Sequence, residues 1–71
     1  MIDYQKVTYE ELYAHVDAII EEINKSTEFS DKSKAFLAAN HLGFFQGVCM
    51  ARGFNYGIND IKKWLQYCSA F

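Results

Sequence analysis

Four side chains in this 71-residue chain have the chemistry to hold a soft metal ion or to form a nucleophile and base: His15, His41, Cys49 and Cys68. A zinc-type site draws its donors from close spacings, such as i and i+4 on one helix or a CxxC loop, so that they converge on one ion. None of the four residues stands three or four from another. Cys49 follows His41 by eight residues, about 12 Å along a helix axis, which is too far for a shared ion. No CxxC or HExxH pattern occurs. A nucleophilic cysteine needs an exposed, electropositive setting, whereas both cysteines lie among apolar neighbours in periodic segments and read as reduced core thiols. His15 stands four residues after Glu11 and suits a surface ion pair. Ser26, Ser30, Ser33 and Ser69 fall at caps, helix ends or solvated positions, and no glycine-rich loop follows a strand. The chain therefore predicts no catalytic residues, no metal and no cofactor, and a protein that is not an enzyme.

What remains is charge and shape. The net charge is −2, but its distribution is uneven. Residues 1–31 carry eight acids against Lys6 and Lys25, a balance of −6; residues 32–71 carry Lys32, Lys34, Arg52, Lys62 and Lys63 against Asp60, a balance of +4. The acids Glu10, Asp17, Glu21 and Glu22 fall on one predicted helix and form a candidate partner-binding face, able to imitate the phosphate charge of a nucleic acid. A plain solvated helix face is the alternative. Arg52, Lys62 and Lys63 are the candidate nucleic-acid contacts, although the helix before the last one is too long for the short supporting member of a helix–turn–helix.

These groups must be positioned by helices. Thr8 with Glu11 makes a capping box, Val7 and Leu12 make its hydrophobic staple, and Tyr9, Leu12, Tyr13, Val16, Ile19, Ile20 and Ile23 recur at the spacing of one buried face. The first helix is placed at 8–25. Ser30 caps a second helix at 30–52, with Asp31 in its first turn and Gly53 as its terminator. On its wheel Leu37, Phe44, Phe45 and Val48 gather on one side, while small residues with Met50 occupy the other, the pattern of a buried central helix. A turn containing Asn55 and Gly57 leads to a third helix at 59–70 opened by Asn59 and Asp60, with Ile61, Trp64, Leu65, Cys68 and Phe71 on its apolar side. The expected fold is all-α, one compact three-helix domain spanning residues 1–71.

Ala35, Ala39, Gly43, Gly47 and Ala51 stand four apart on the second helix and leave a shallow trough across it. Two helix-interior glycines cost about 1 kcal/mol each relative to alanine, so close packing is expected to offset them. The trough is read as a dimer or helix-packing groove, filled by another helix of the chain or of a second copy; two copies would cross near −50°. Ala35 to Ala51 carries no formal charge, but Asn40, His41 and Gln46 interrupt it and the run is short for a bilayer, so no membrane span is expected.

A domain of this size buries only about 60% of the surface of its unfolded chain, and with no disulfide expected, homodimerisation is the natural support. The absence of proline and an aromatic share of 17% mark a chain rich in core material. Tyr4, Tyr9, Tyr13, Phe54, Tyr56, Tyr67 and Phe71 exceed what three helices hide, so some should lie on a binding surface and the rest should seal the bundle ends. With no charged leader before an apolar stretch, a cytoplasmic location is expected. The function expected is that of a small protein-interaction module, a stoichiometric inhibitor or modulator of a nucleic-acid-handling protein, such as a mobile-element anti-defence protein. The alternative is a dimeric DNA-binding transcriptional regulator using Arg52, Lys62 and Lys63.

Overall fold

Thr8 sets the start of the first helix, α1 (Tyr9–Lys25). Its hydroxyl accepts the Glu11 backbone N–H at 3.1 Å, and the Glu11 carboxylate accepts the Thr8 N–H at 2.9 Å, so two otherwise orphaned donors are satisfied. That backbone hydrogen bond holds the Glu11 carboxyl below its ordinary pKa. Val7 and Leu12, the staple pair, are both buried in the core. The fold is taken from a computed structural model that describes residues 2–69.

The second helix, α2 (Asp31–Arg52), begins where Ser30 Oγ accepts the Ser33 N–H at 3.2 Å. It ends at Gly53, whose φ of 73° is the left-handed conformation that glycine adopts without a Cβ clash. The Phe54 N–H reaches back to the Cys49 carbonyl at 2.9 Å and the Gly53 N–H to Met50 at 3.4 Å, a Schellman closure. The third helix, α3 (Ile58–Cys68), starts one residue earlier than the sequence suggests, because the Asp60 carboxylate accepts the Gly57 N–H at 3.2 Å. It ends at Cys68 with Ser69 as its C-cap, short of the expected end at 70, and the place of Phe71 on its apolar side lies outside the described residues.

The architecture is the all-α one expected: three helices, with α2 packed against both α1 and α3 and no strand among the described residues. The Cα envelope measures 34 × 27 × 15 Å. Its thin dimension holds two layers of helix and no third. One side of α2 is therefore covered by its neighbours, and the other faces outward.

The covered side of α2 differs from the wheel reading. Ala35, Ala38, Leu42, Phe45 and Cys49 face the core, whereas Leu37 and Val48 are half-buried and Phe44 is 42% exposed. The reason is steric. Leu12, Val16 and Ile20 from α1 and Ile61 and Trp64 from α3 bring the bulk, so two of the five facing positions are alanine, and large side chains interleave with small ones. Phe45 and Trp64, both wholly buried, meet edge to face with ring centres 5.0 Å apart. Tyr13 stacks on Trp64 at 4.8 Å.

The two phenylalanines of α2 give the first prediction. Phe45→Ala removes the ring that α1 and α3 share and is expected to destabilise the domain by about 3–5 kcal/mol, enough to unfold a large fraction of so small a protein. Phe36→Ala, at a position 66% exposed, should change stability by no more than about 0.5 kcal/mol. Urea unfolding followed by helical circular dichroism reads both.

Candidate protein-interaction surface

The acidic face proposed from the sequence divides into two parts. Glu10 and Glu22 are exposed. Asp17 and Glu21 are half-buried and turned toward α3. One Asp17 oxygen accepts both the Trp64 indole N–H, at 2.8 Å, and the Lys63 ammonium, also at 2.8 Å. Glu21 Oε1 accepts the Tyr67 hydroxyl at 2.8 Å and lies 3.1 Å from Lys63 Nζ. Burial by itself would raise the Asp17 pKa, but the hydrogen bonds from Lys63 and Trp64, with the nearby positive charge, outweigh it and bring the carboxyl below its usual value. Glu21 is lowered by the Tyr67 hydroxyl first and by Lys63 second. The same contacts hold the Lys63 ammonium well above its ordinary range. Two of the four acids are thus a clamp between α1 and α3.

The cationic set is likewise engaged. The Arg52 guanidinium donates to the Tyr4 carbonyl at 2.8 Å and lies over the Phe54 ring at 4.8 Å, which fastens the N-terminal segment to the end of α2. Lys63 closes the carboxylate clamp. Lys62 is exposed.

The tyrosines, some of which the sequence places on a binding surface, all pack against the core. Tyr4, Tyr9, Tyr13, Tyr56 and Tyr67, with Phe54, are partly buried against it. Tyr9 donates to Asp60 Oδ2 at 3.0 Å and Tyr13 to the Asp60 carbonyl at 2.7 Å, so their rings fill space while their hydroxyls stay at the rim. Burial first, then the Asp60 hydrogen bond, pushes the Tyr9 phenol well above its ordinary pKa. The ion pair expected between His15 and Glu11 does not form: Glu11 serves the Thr8 cap, and His15 Nε2 meets the Tyr4 hydroxyl at 3.2 Å. His15 and His41 line one small pocket, but among the described residues no three His, Cys, Asp or Glu side chains converge as metal ligands do. Cys49 is buried and Cys68 half-buried, both free thiols whose pKa burial raises.

The outward side of α2 is different in kind. Of the row of small residues, Ala35 faces inward, while Ala39, Gly43, Gly47 and Ala51 are exposed. A Cβ built on Gly43 or Gly47 would meet nothing within 4 Å, so among the described residues no helix fills the trough. That removes the intramolecular half of the packing expectation: the thin, two-layered body has no fourth element to lay there. Around the trough stand Phe36 (66% exposed) and Met50 (86% exposed). At the N-terminal end of α2, Phe29, Lys32, Ala35, Phe36 and Ala39, with Cys68 of α3, line an open apolar groove of about 590 Å³. Sequence reasoning missed Phe29 and Phe36 as surface residues. The signal for Phe36 was that it lies opposite the face set by Ala38, Leu42, Phe45 and Cys49, and for Phe29 that it precedes the α2 cap in the connecting turn. Among the described residues no helix is long and apolar enough to cross a membrane.

Comparison with protein-family models, with curated protein sequences and with solved structures gave no match.

Two outcomes follow from this geometry. Both clamp carboxyls have lowered pKa values, so their contribution to stability is complete above the ordinary carboxylate range and fades as pH falls through the lowered values. Asp17→Asn should cost about 1 kcal/mol near neutral pH, a figure reduced by the partial exposure of the site, and should flatten the acid limb of the stability profile in urea titrations from pH 7 to 2. Gly43→Ala and Gly47→Ala should each stabilise the isolated chain in dilute solution by up to about 1 kcal/mol, since the helix gains and nothing clashes; thermal melts check this.

Proposed function

We propose that this protein works by contact with another protein surface and not by catalysis, and that the outward side of α2 is where that contact is made. The observation that carries this reading is a charge-free helical face, from Ala35 to Ala51, that exposes Phe36 and Met50 beside bare backbone at Gly43 and Gly47. Large apolar side chains grouped on one face of so small a domain are the mark of a docking surface. The glycines support the same reading, because their cost in helix stability is not offset inside the fold.

In its sharper form the module is a stoichiometric modulator or inhibitor of a nucleic-acid-handling protein. The exposed acids Glu10 and Glu22 would then face basic residues of the target, while Asp17 and Glu21 hold the scaffold. This is favoured over a DNA-binding regulator because Arg52 and Lys63 already have partners within the fold, which leaves Lys62 as the member of that cationic set with no ion pair among the described residues.

The test is affinity capture from native cells with the wild-type chain and with a Phe36→Glu/Met50→Glu variant, after circular dichroism has shown equal helicity. A partner protein retained by the wild type and lost, at least tenfold, from the variant is the expected result. Identical capture by both forms would remove α2 from the function. Titration with duplex DNA over a range of salt should give no steep salt-dependent binding; a steep slope would restore the regulator.

A further inference from the structure

The outward side of α2 reads nearly the same from both ends. Taking Gly43 as the centre, Asn40 and Gln46 lie three residues to either side, Ala39 and Gly47 four, and Phe36 and Met50 seven. Each pair matches in chemistry: amide with amide, small with small, large apolar with large apolar. Asn40, Ala39, Gly47, Phe36, Met50 and Gly43 are exposed, and Gln46 is half-buried at the edge of the same face. We propose that the occupant of this face is a second copy of the chain, paired antiparallel about a twofold axis at Gly43. The proposal rests on the docking role assigned to α2 above and names its partner.

A twofold contact sets residue 43+k of one copy against residue 43−k of the other. Asn40 therefore meets the partner subunit's Gln46, and two side-chain amides can exchange hydrogen bonds on each side of the axis. Ala39 meets the partner's Gly47, so the backbones approach closely where Gly43 has no side chain to hold them apart. The helices cross and diverge from that point, and the long side chains stand where the gap opens: Phe36 of one copy reaches the partner's Met50, a sulfur–aromatic pairing that occurs twice.

Charge and area agree with this occupant. Two copies of an acidic chain repel unless their contact is free of charge, and the α2 face from 35 to 51 carries none. Phe36 and Met50, at 66% and 86% exposure, offer on the order of 300 Å² per copy. With the small positions, the two amides, Phe44 and the Lys32 stem, the total rises to roughly 600–800 Å² per copy, close to what a specific interface removes from each partner. The row of small residues then has the neighbour that the single chain denies it.

Sedimentation equilibrium over a wide concentration range is expected to show reversible association to twice the chain mass. Charge substitutions at the amide pair test the direction of pairing without disturbing the core. Asn40→Asp/Gln46→Asp sets like charges together twice and should weaken the dimer by at least tenfold. Asn40→Asp/Gln46→Lys sets opposite charges together in the antiparallel arrangement and should retain dimerisation. A monomer at all concentrations overturns the proposal. Weakening by Asn40→Asp/Gln46→Lys also overturns it, since a parallel pair would bring the two introduced carboxylates face to face and the two introduced ammonium groups likewise. If the chain is monomeric and yet captures another protein in a manner dependent on Phe36 and Met50, the second copy is excluded while the docking role of α2 stands.

Discussion

Trp64 joins the three helices at one point. Its ring is wholly buried, stacked on Tyr13 of α1 and met edge-on by Phe45 of α2, and its indole N–H would be an orphaned donor if Asp17 did not accept it. A buried polar group without a partner costs more than a typical hydrogen bond contributes, so the Asp17 carboxylate is a condition of placing the ring there. Among the described residues no buried side-chain polar atom is left unpaired. Lys63, one residue before Trp64, then neutralises the carboxylate that the indole recruits, and Glu21 and Tyr67 extend the clamp by one helical turn on each side.

This clamp accounts for how the uneven charge of the chain is used. The acidic first half and the basic second half meet directly between α1 and α3, so part of the dipole seen along the sequence is cancelled within the fold. Being partly exposed, such pairs add little to stability singly; their value is in orientation, since they fix the rotation of α3 against α1 while hydrophobic contacts supply most of the energy. Of the candidate acidic face and cationic set, Glu10, Glu22 and Lys62 remain exposed without a role in this clamp.

The second constraint is thickness. A body only two helix layers deep covers its central helix once. The residues of α2 that look inward are chosen for fit, with Ala35 and Ala38 opposite the bulk of the other helices, and those that look outward are apolar without being packed. Phe36, Met50 and the open backbone at Gly43 and Gly47 lower the stability or solubility of an isolated chain. If α2 docks a partner as proposed, they form one contact surface, with protruding groups at its ends and a hollow at its centre.

The sequence by itself determined the three helices and their ends, apart from those of α3, which runs from Ile58 to Cys68. The Thr8–Glu11 capping box, the Ser30 cap and the left-handed Gly53 are local devices whose parts lie within a few residues, so their geometry follows from spacing alone. The absence of close-spaced ligand motifs was equally plain. The inward side of α2 was not legible, because apolar residues surround that helix and periodicity cannot choose between faces that are all hydrophobic. Nor was the pairing of Asp17 with Trp64, of Tyr9 with Asp60 or of Arg52 with Tyr4, residues that stand 47, 51 and 48 positions apart. Those contacts depend on how the helices rotate against one another, which the bulk of Phe45 and Trp64 decides only once the chain is folded.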